Sequence, residues 1–201
     1  HGIGRLRTFN GQLCPIIVRM TSKRPSADIR RAQLLDAADA VFSEHGVTAP
    51  LDLVVERAEV GRATLYRQFP DRRALMLALL ERSLDNMRLA AEAMAEDDDA
   101  FYKLLSRLAE RIAVSAPITD YWRTVERGDE VIAQARVAMW QIFRPAMDRA
   151  VACGHCRQPL TQAELSLVFG MLGASLRGET PQQRRTLARK ALQIVWQGLK
   201  A

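Results

Sequence analysis

Eight consecutive residues, Arg62-Ala63-Thr64-Leu65-Tyr66-Arg67-Gln68-Phe69, carry five hydrogen-bonding side chains around two apolar anchors. Leu65 and Phe69 lie four apart, so on a helix they share one face and can anchor it. That leaves Arg62, Thr64, Tyr66, Arg67 and Gln68 to reach base edges or phosphates. The plainer alternative is a solvated polar helix inside an ordinary bundle. A second group, Cys153-Gly154-His155-Cys156, has the C-x-x-C spacing of thiol chemistry, with a histidine able to lower a thiol pKa. Working pairs of that kind open a helix that follows a strand. Here a helical pattern precedes the pair and Pro159 and Thr161 mark a loop beyond, so a loop between helices is expected. A thiol-based redox sensor or oxidoreductase using Cys153 and Cys156 stands as the rival function. Zinc would need a fourth ligand, and only His1, Cys14 and His45 remain. No metal, no cofactor and no enzymatic activity are expected: Asp129 and Glu130 sit side by side without a partnered nucleophile or phosphate loop.

The elements that must position these residues are helical. Among 201 residues, Ala and Leu supply 53 against 31 for Val, Ile and Thr, which favours helix over sheet. A hydrophobic share of 48% with 26% charged residues describes a soluble, folded chain. The longest uncharged stretch, Leu165 to Leu176, has 12 residues, whereas a bilayer span needs roughly 20, so no membrane partner is expected. Ile29, Leu34, Ala37, Ala38, Val41 and Phe42 form an apolar stripe that stops at His45-Gly46. A short helix fits Leu51 to Ala58 with Pro50 at its start, Glu59-Val60-Gly61 turns, and Arg62 to Phe69 forms a second short helix closed by Pro70-Asp71. This is the helix-turn-helix layout, in which the second short helix enters the DNA major groove. Charge agrees: residues 61–73 carry four arginines against one aspartate, within a net charge of +6.

Downstream, a long helix is predicted from Arg73 to about Met94, a break at Glu96-Asp97-Asp98-Asp99, and a helix through Ile112 whose end precedes Pro117. Another runs from about Asp129 to Ala152, interrupted or kinked at Pro145. Thr161 and Glu164 have capping-box spacing before a helix ending at Gly178, and Thr180-Pro181 opens the last one. The fold class is all-α, about nine helices. Residues 1–26 form an N-terminal extension, 27–73 the helix-turn-helix domain and 74–201 a second helical domain. Met20 reads like a natural start, so residues 1–19 are expected to be an expression remnant or an upstream extension.

The run Ala58-Glu59-Val60-Gly61-Arg62-Ala63-Thr64-Leu65-Tyr66-Arg67-Gln68-Phe69-Pro70-Asp71-Arg72-Arg73-Ala74-Leu75 resembles the signature of TetR-family transcriptional regulators. Close motif similarity covers roughly residues 29–80. The resemblance implies a homodimeric, ligand-responsive, cytoplasmic regulator, in the first instance a repressor, that binds double-stranded operator DNA and is released by a small-molecule effector. It implies base reading by Arg62 with Ala63 and Thr64 alongside, and base or phosphate contact by Thr64 and Tyr66. Gln68 stands where the family often has a phosphate-contacting histidine, and Arg72 where it has a lysine aimed at a phosphate. Lys23 and Arg24 are candidates for minor-groove or backbone contact. Three departures stand out: Glu59 replaces a turn glycine, Val55 a small alanine, and Pro50 a capping Ser or Thr.

The family places an effector pocket among helices four to seven and a dimer interface on helices eight and nine. For the pocket, the aromatic-rich central segment offers Phe101, Tyr102, Tyr121, Trp122, Met139, Trp140 and Phe143. For the interface, the last two helices offer Leu165, Phe169, Gly173, Leu187, Ala191 and Val195, with small residues allowing close approach.

Overall fold

The computed structural model describes residues 27–125 and 129–201. Among them are nine α-helices and no strand: α1 (Ala27–His45), α2 (Leu51–Arg57), α3 (Arg62–Gln68), α4 (Arg72–Ala93), α5 (Ala100–Val114), α6 (Ala116–Thr124), α7 (Glu130–Ala152), α8 (Gln162–Leu172) and α9 (Pro181–Leu199). Residues Gly173–Arg177 tighten into a 3-10 segment between α8 and α9. Lys23, Arg24 and the N-terminal extension lie outside the described residues. None of the described helices is long and apolar enough to cross a membrane.

Local chemistry explains most of the ends. Gly46 takes φ +84° and its N–H donates to the Phe42 carbonyl at 3.0 Å, closing α1. The Asp71 carboxylate accepts from the Ala74 N–H at 2.7 Å and starts α4. Thr161 and Glu164 form the expected capping box on α8, and Thr180 with Gln183 forms a second on α9. Three places depart from expectation. Pro117 does lie beyond the end of α5 at Val114, but an unexpected helix, α6, begins there with the proline in its first turn, where its missing N–H costs no hydrogen bond. Helix α7 runs as one element through Pro145. Helix α8 stops at Leu172, short of Gly178. A Cβ at Gly178 would meet the Arg184 backbone nitrogen at 2.6 Å, so glycine there permits the approach of α9.

Two apolar cores result. The first packs Leu34, Ala38 and Phe42 of α1 with Val54, Leu65, Phe69, Leu75 and Leu79. The second joins Phe101, Leu104 and Leu105 of α5 to Phe143, Met147, Leu165, Leu172 and Leu192. Helix α4 belongs to both: Leu75, Met76, Ala78 and Leu79 enter the first core, Met87 and Ala90 the second. The change of core therefore falls inside α4, after the sequence boundary at residue 73.

The turn between α2 and α3 holds the one described non-glycine residue at positive φ, Glu59 at 53°. A side chain in the left-handed region costs about 1–2 kcal/mol, partly offset in the glycine variant by the extra freedom of its unfolded chain. Glu59→Gly should therefore raise stability by on the order of 1 kcal/mol, about 2–4 °C in Tm for a domain of this size. A melting or urea curve shifted the other way would show that the Glu59 side chain supports the turn.

Candidate functional site

Helix α3 is held from beneath. Leu65 is 0% and Phe69 2% exposed, both inside the first core, which turns the opposite face of α3 outward. Arg62, Ala63, Tyr66 and Arg67 are exposed, and Thr64 and Gln68 are half-buried. Arg62 Nη2 donates to the Asp52 carboxylate of α2 at 2.7 Å, and Arg67 Nη2 to Thr64 Oγ1 at 3.2 Å. Both contacts lie at the surface, where water competes with them, and each guanidinium keeps further N–H groups for another acceptor. Beside this face, and not anticipated from sequence, the Arg31 guanidinium of α1 stacks 4.7 Å from the Phe69 ring centre.

The departures at the helix pair have visible results. Pro50 precedes α2 with no side-chain cap, and Val55 is half-buried against the first core. Arg72 differs from its expected aim at a phosphate. Its guanidinium donates inward to the Val47 carbonyl and to the Ala49 carbonyl at 2.7 Å, over the Phe42 ring. It ties the α1–α2 loop to the start of α4. Arg73 is likewise engaged, donating to Asp129 at the start of α7 at 2.6 Å. That hydrogen bond holds the Asp129 carboxyl below its ordinary pKa. The link between α4 and α7 thus persists above the usual carboxylate range and fades as pH falls through the lowered value.

A cavity of about 650 Å³ opens between the two cores, within the size range of small-molecule sites. Its walls come from α4 (Leu79, Leu80, Ser83, Leu84), α5 (Leu108, Arg111, Ile112), α6 (Ile118, Thr119, Trp122), α7 (Ile132, Met139) and α8 (Phe169, Gly170). Among the described residues the lining includes Arg111 and Arg136 but no carboxylate. Trp122 Nε1 is buried without an acceptor among the described residues, an omission that costs about 1–3 kcal/mol until something accepts from it.

Of the seven aromatic-segment candidates, Trp122 and Met139 line this cavity. Phe101 and Phe143 do not: they are 1% and 0% exposed, stacked edge-to-face in the second core. Tyr102 packs on Trp196 at a separate surface cleft. Tyr121 packs edge-on against Trp122, and Trp140 sits half-buried with Arg144 over its ring. Aromatic type alone does not separate wall from core. Half of the cavity's lining residues are Leu, Ile and Ser from distant segments, which only the packed fold brings together.

The interface candidates divide similarly. Leu165 and Val195 are 1% and 8% exposed inside their own second core, Gly173 is buried, and Ala191 packs half-buried on that core. Phe169 turns to the cavity. Leu187 is exposed, together with Leu167, Met171 and Ile194 on the same two helices. The helices are legible in the sequence, and of the six candidates Leu187 is exposed, while the other exposed large apolar residues of α8 and α9 lie at Leu167, Met171 and Ile194.

Among the described residues, nine helices with an outward-facing second short helix, a cavity and a second helical core make a helix-turn-helix fold. A family model described as bacterial regulatory proteins, tetR family, matches residues 34–79. The chain is 43% identical over 61 residues to the HTH-type transcriptional activator FasR of Mycolicibacterium smegmatis, a match spanning 30% of this chain and 28% of that protein. It is similar over its whole fold to a TetR transcriptional regulator from Streptomyces coelicolor, with 27% identity, TM-score 0.66, and coverage of 85% of this chain and 98% of that one. The fold also matches the regulator FadR of Bacillus subtilis in complex with stearoyl-CoA, at 14% identity and TM-score 0.62 over 84% and 98% of the two chains. The family match covers residues 34–79, and over the rest of the chain the similarity to TetR transcriptional regulators is one of fold.

The cysteine pair fits that assignment. Cys153 is exposed and Cys156 buried, both as free thiols. A hydrogen bond to the Asp98 carboxylate pushes the Cys153 thiol pKa up, and burial pushes Cys156 up. His155 is directed to the Asp98 carbonyl at 3.2 Å. Raised pKa values leave little thiolate at neutral pH, the opposite of an activated sulfur. Iodoacetamide at pH 7 should alkylate Cys153 no faster than free cysteine, and Cys156 more slowly still. Labelling of either well ahead of free cysteine would restore the redox reading.

Proposed function

We propose that this chain is a homodimeric transcriptional regulator that grips operator DNA through the exposed face of α3 and lets go when a small molecule fills the cavity. The observation that carries the reading is the burial of Leu65 and Phe69 beneath outward Arg62, Tyr66 and Arg67, since a major-groove helix needs that orientation. Arg62 is the proposed base reader. A bidentate arginine–guanine contact discriminates by about 1–3 kcal/mol, enough to draw the side chain from a solvent-exposed partner. Tyr66, Thr64 and Gln68 are the proposed phosphate or base contacts. Arg72 acts indirectly, by holding the α1–α2 loop.

The second copy is proposed to dock on α8 and α9, where Leu167, Met171, Leu187 and Ile194 are 58%, 47%, 41% and 60% exposed. Two α3 helices then meet half-sites about one helical turn apart. The relative named above is an activator, and the sign of regulation depends on where an operator lies, so repression is not carried forward. The Bacillus subtilis neighbour holds stearoyl-CoA; the use of the cavity, not that ligand, is extended here. Action in the cytoplasm, where DNA and metabolites meet, goes with this reading.

Selection of the full chain against a random duplex pool should enrich a site with two related halves, bound with steeply salt-dependent affinity. Arg62→Ala should lose about 1–3 kcal/mol on the selected site but far less on scrambled DNA. Equal losses on both would remove Arg62 from base reading, and failure to enrich any sequence would overturn the regulator reading. The double substitution Leu167→Glu with Ile194→Glu should give a folded monomer by light scattering, with the selected site bound weakly. A dimer that survives it would move the interface elsewhere.

A further inference from the structure

The cavity touches a polar cluster that ties the two halves of the chain together. Asp39, in the middle of α1, accepts two parallel hydrogen bonds from the Arg111 guanidinium of α5, at 2.9 and 3.1 Å. Ser115 Oγ and Arg82 Nη2 reach the same carboxylate at 3.4 Å. Arg82, from α4, also donates to Asp36 at 2.6 Å and to the Leu35 carbonyl at 3.1 Å. Asp39 is only 20% exposed and Arg111 34%, so these contacts are sheltered from water. Arg111 and Ser115 are at the same time cavity wall.

Two features of that wall specify an occupant. It is apolar over most of its area yet its charged members are both arginines, Arg111 and Arg136, and its other polar members include hydroxyls and the Trp122 indole N–H. Trp122 Nε1 has no acceptor among the described residues. The wall therefore offers donors and positive charge to whatever enters, and none of the described residues that line it is a carboxylate.

We propose that the effector is an apolar molecule ending in a single carboxylate, and that its head takes Arg111 from Asp39 while accepting from Trp122. The proposal rests on the reading of the cavity as an effector site and adds the ligand's chemistry and the way its arrival is felt. A ligand carboxylate presents Arg111 with the same planar fork that Asp39 presents, so the two compete for one guanidinium. Each acid favours a different state: Asp39 the one in which α1 is clamped to α5, the ligand the one in which it is not. A ligand shifts an equilibrium only by such a difference in affinity. Because α1 carries Arg31 over Phe69 and shares the first core with α3, unclamping it loosens the support of the recognition helix.

The competition makes a signed prediction that damage to the fold does not imitate. Probes are dodecanoate and 1-naphthoate, each beside its neutral counterpart, dodecanol and 1-naphthamide, below micelle concentrations. Binding to the full-length dimer is followed by tryptophan fluorescence and calorimetry. Both acids should bind at least tenfold more tightly than their neutral partners. Asp39→Asn should tighten acid binding about fivefold or more while weakening DNA binding. Trp122→Phe, which keeps a six-membered aromatic ring but removes the indole N–H, should weaken binding of both acids more than of their neutral partners, in a chain that still melts cooperatively. Arg111→Gln should abolish the preference for acids over neutral partners. Equal binding of acid and neutral probes, or no binding of either acid, would overturn the assigned chemistry. So would an Asp39→Asn protein that binds the acids more weakly than the natural chain. DNA selection run without ligand tests the regulator reading separately, since an enriched site leaves that reading standing whatever the probes do.

Discussion

A seven-residue helix cannot hold itself together in water, and the interface depends on how α3 is made to exist. Its stability comes from Leu65 and Phe69, each burying a side chain for roughly 1.5–3 kcal/mol. Those two residues also set its rotation. With positions 65 and 69 inward, 63, 66 and 67 point outward, while Arg62 shares the side of Leu65 and is exposed because it opens the helix. The apolar contact that stabilises the helix is thus the same contact that aims its polar side chains, and a polar substitution at Leu65 or Phe69 would remove both at once.

Parts of the fold governed by neighbours along the chain are legible in the residues themselves. The stripe through Leu34, Ala38 and Phe42, the glycine stop at Gly46, the turn at Glu59 and the Thr161–Glu164 capping box each involve residues within a few positions of one another. Helix α6 is not legible in this way, because a proline marks an ending and a beginning equally well, and Pro117 supplies the beginning. The cavity is legible only in its helices. Phe101 and Phe143 have the composition of a pocket wall, but α5 and α7 turn them into the core, while Ser83 and Leu108 reach the wall without any local sign. Asp39 and Arg111 are 72 residues apart, and nothing in either neighbourhood points to the other.

Counting arginines gives the sign of charge around α3 but not what each of them touches within the protein. Arg62 and Arg73 have carboxylate partners, so part of their charge is already answered within the protein. Arg72 is bound to carbonyls, which are neutral, so its full positive charge persists although its hydrogen bonds are spent. It can still attract a phosphate lying within the roughly 8 Å over which physiological salt lets charges act. Arg72 therefore shapes the loop by its hydrogen bonds and contributes to the field by its charge, two effects that the type of residue alone does not separate.

The two cores share α4, and close-packed apolar interiors resist partial rearrangement, because a shift of a fraction of an ångström forfeits contacts along the whole seam. A signal that had to deform either core would be expensive. The polar cluster around Asp39 lies between them and is built differently: it is made of hydrogen bonds to charged groups, and those can be exchanged one for one if an equivalent partner arrives. Asp39, Arg82, Arg111 and Ser115 draw on α1, α4 and α5, so one exchange there alters the mutual hold of three helices while leaving Leu65, Phe69 and Phe143 in place. A fold with rigid cores and one exchangeable polar seam confines its response to that seam, and here the seam opens onto the cavity.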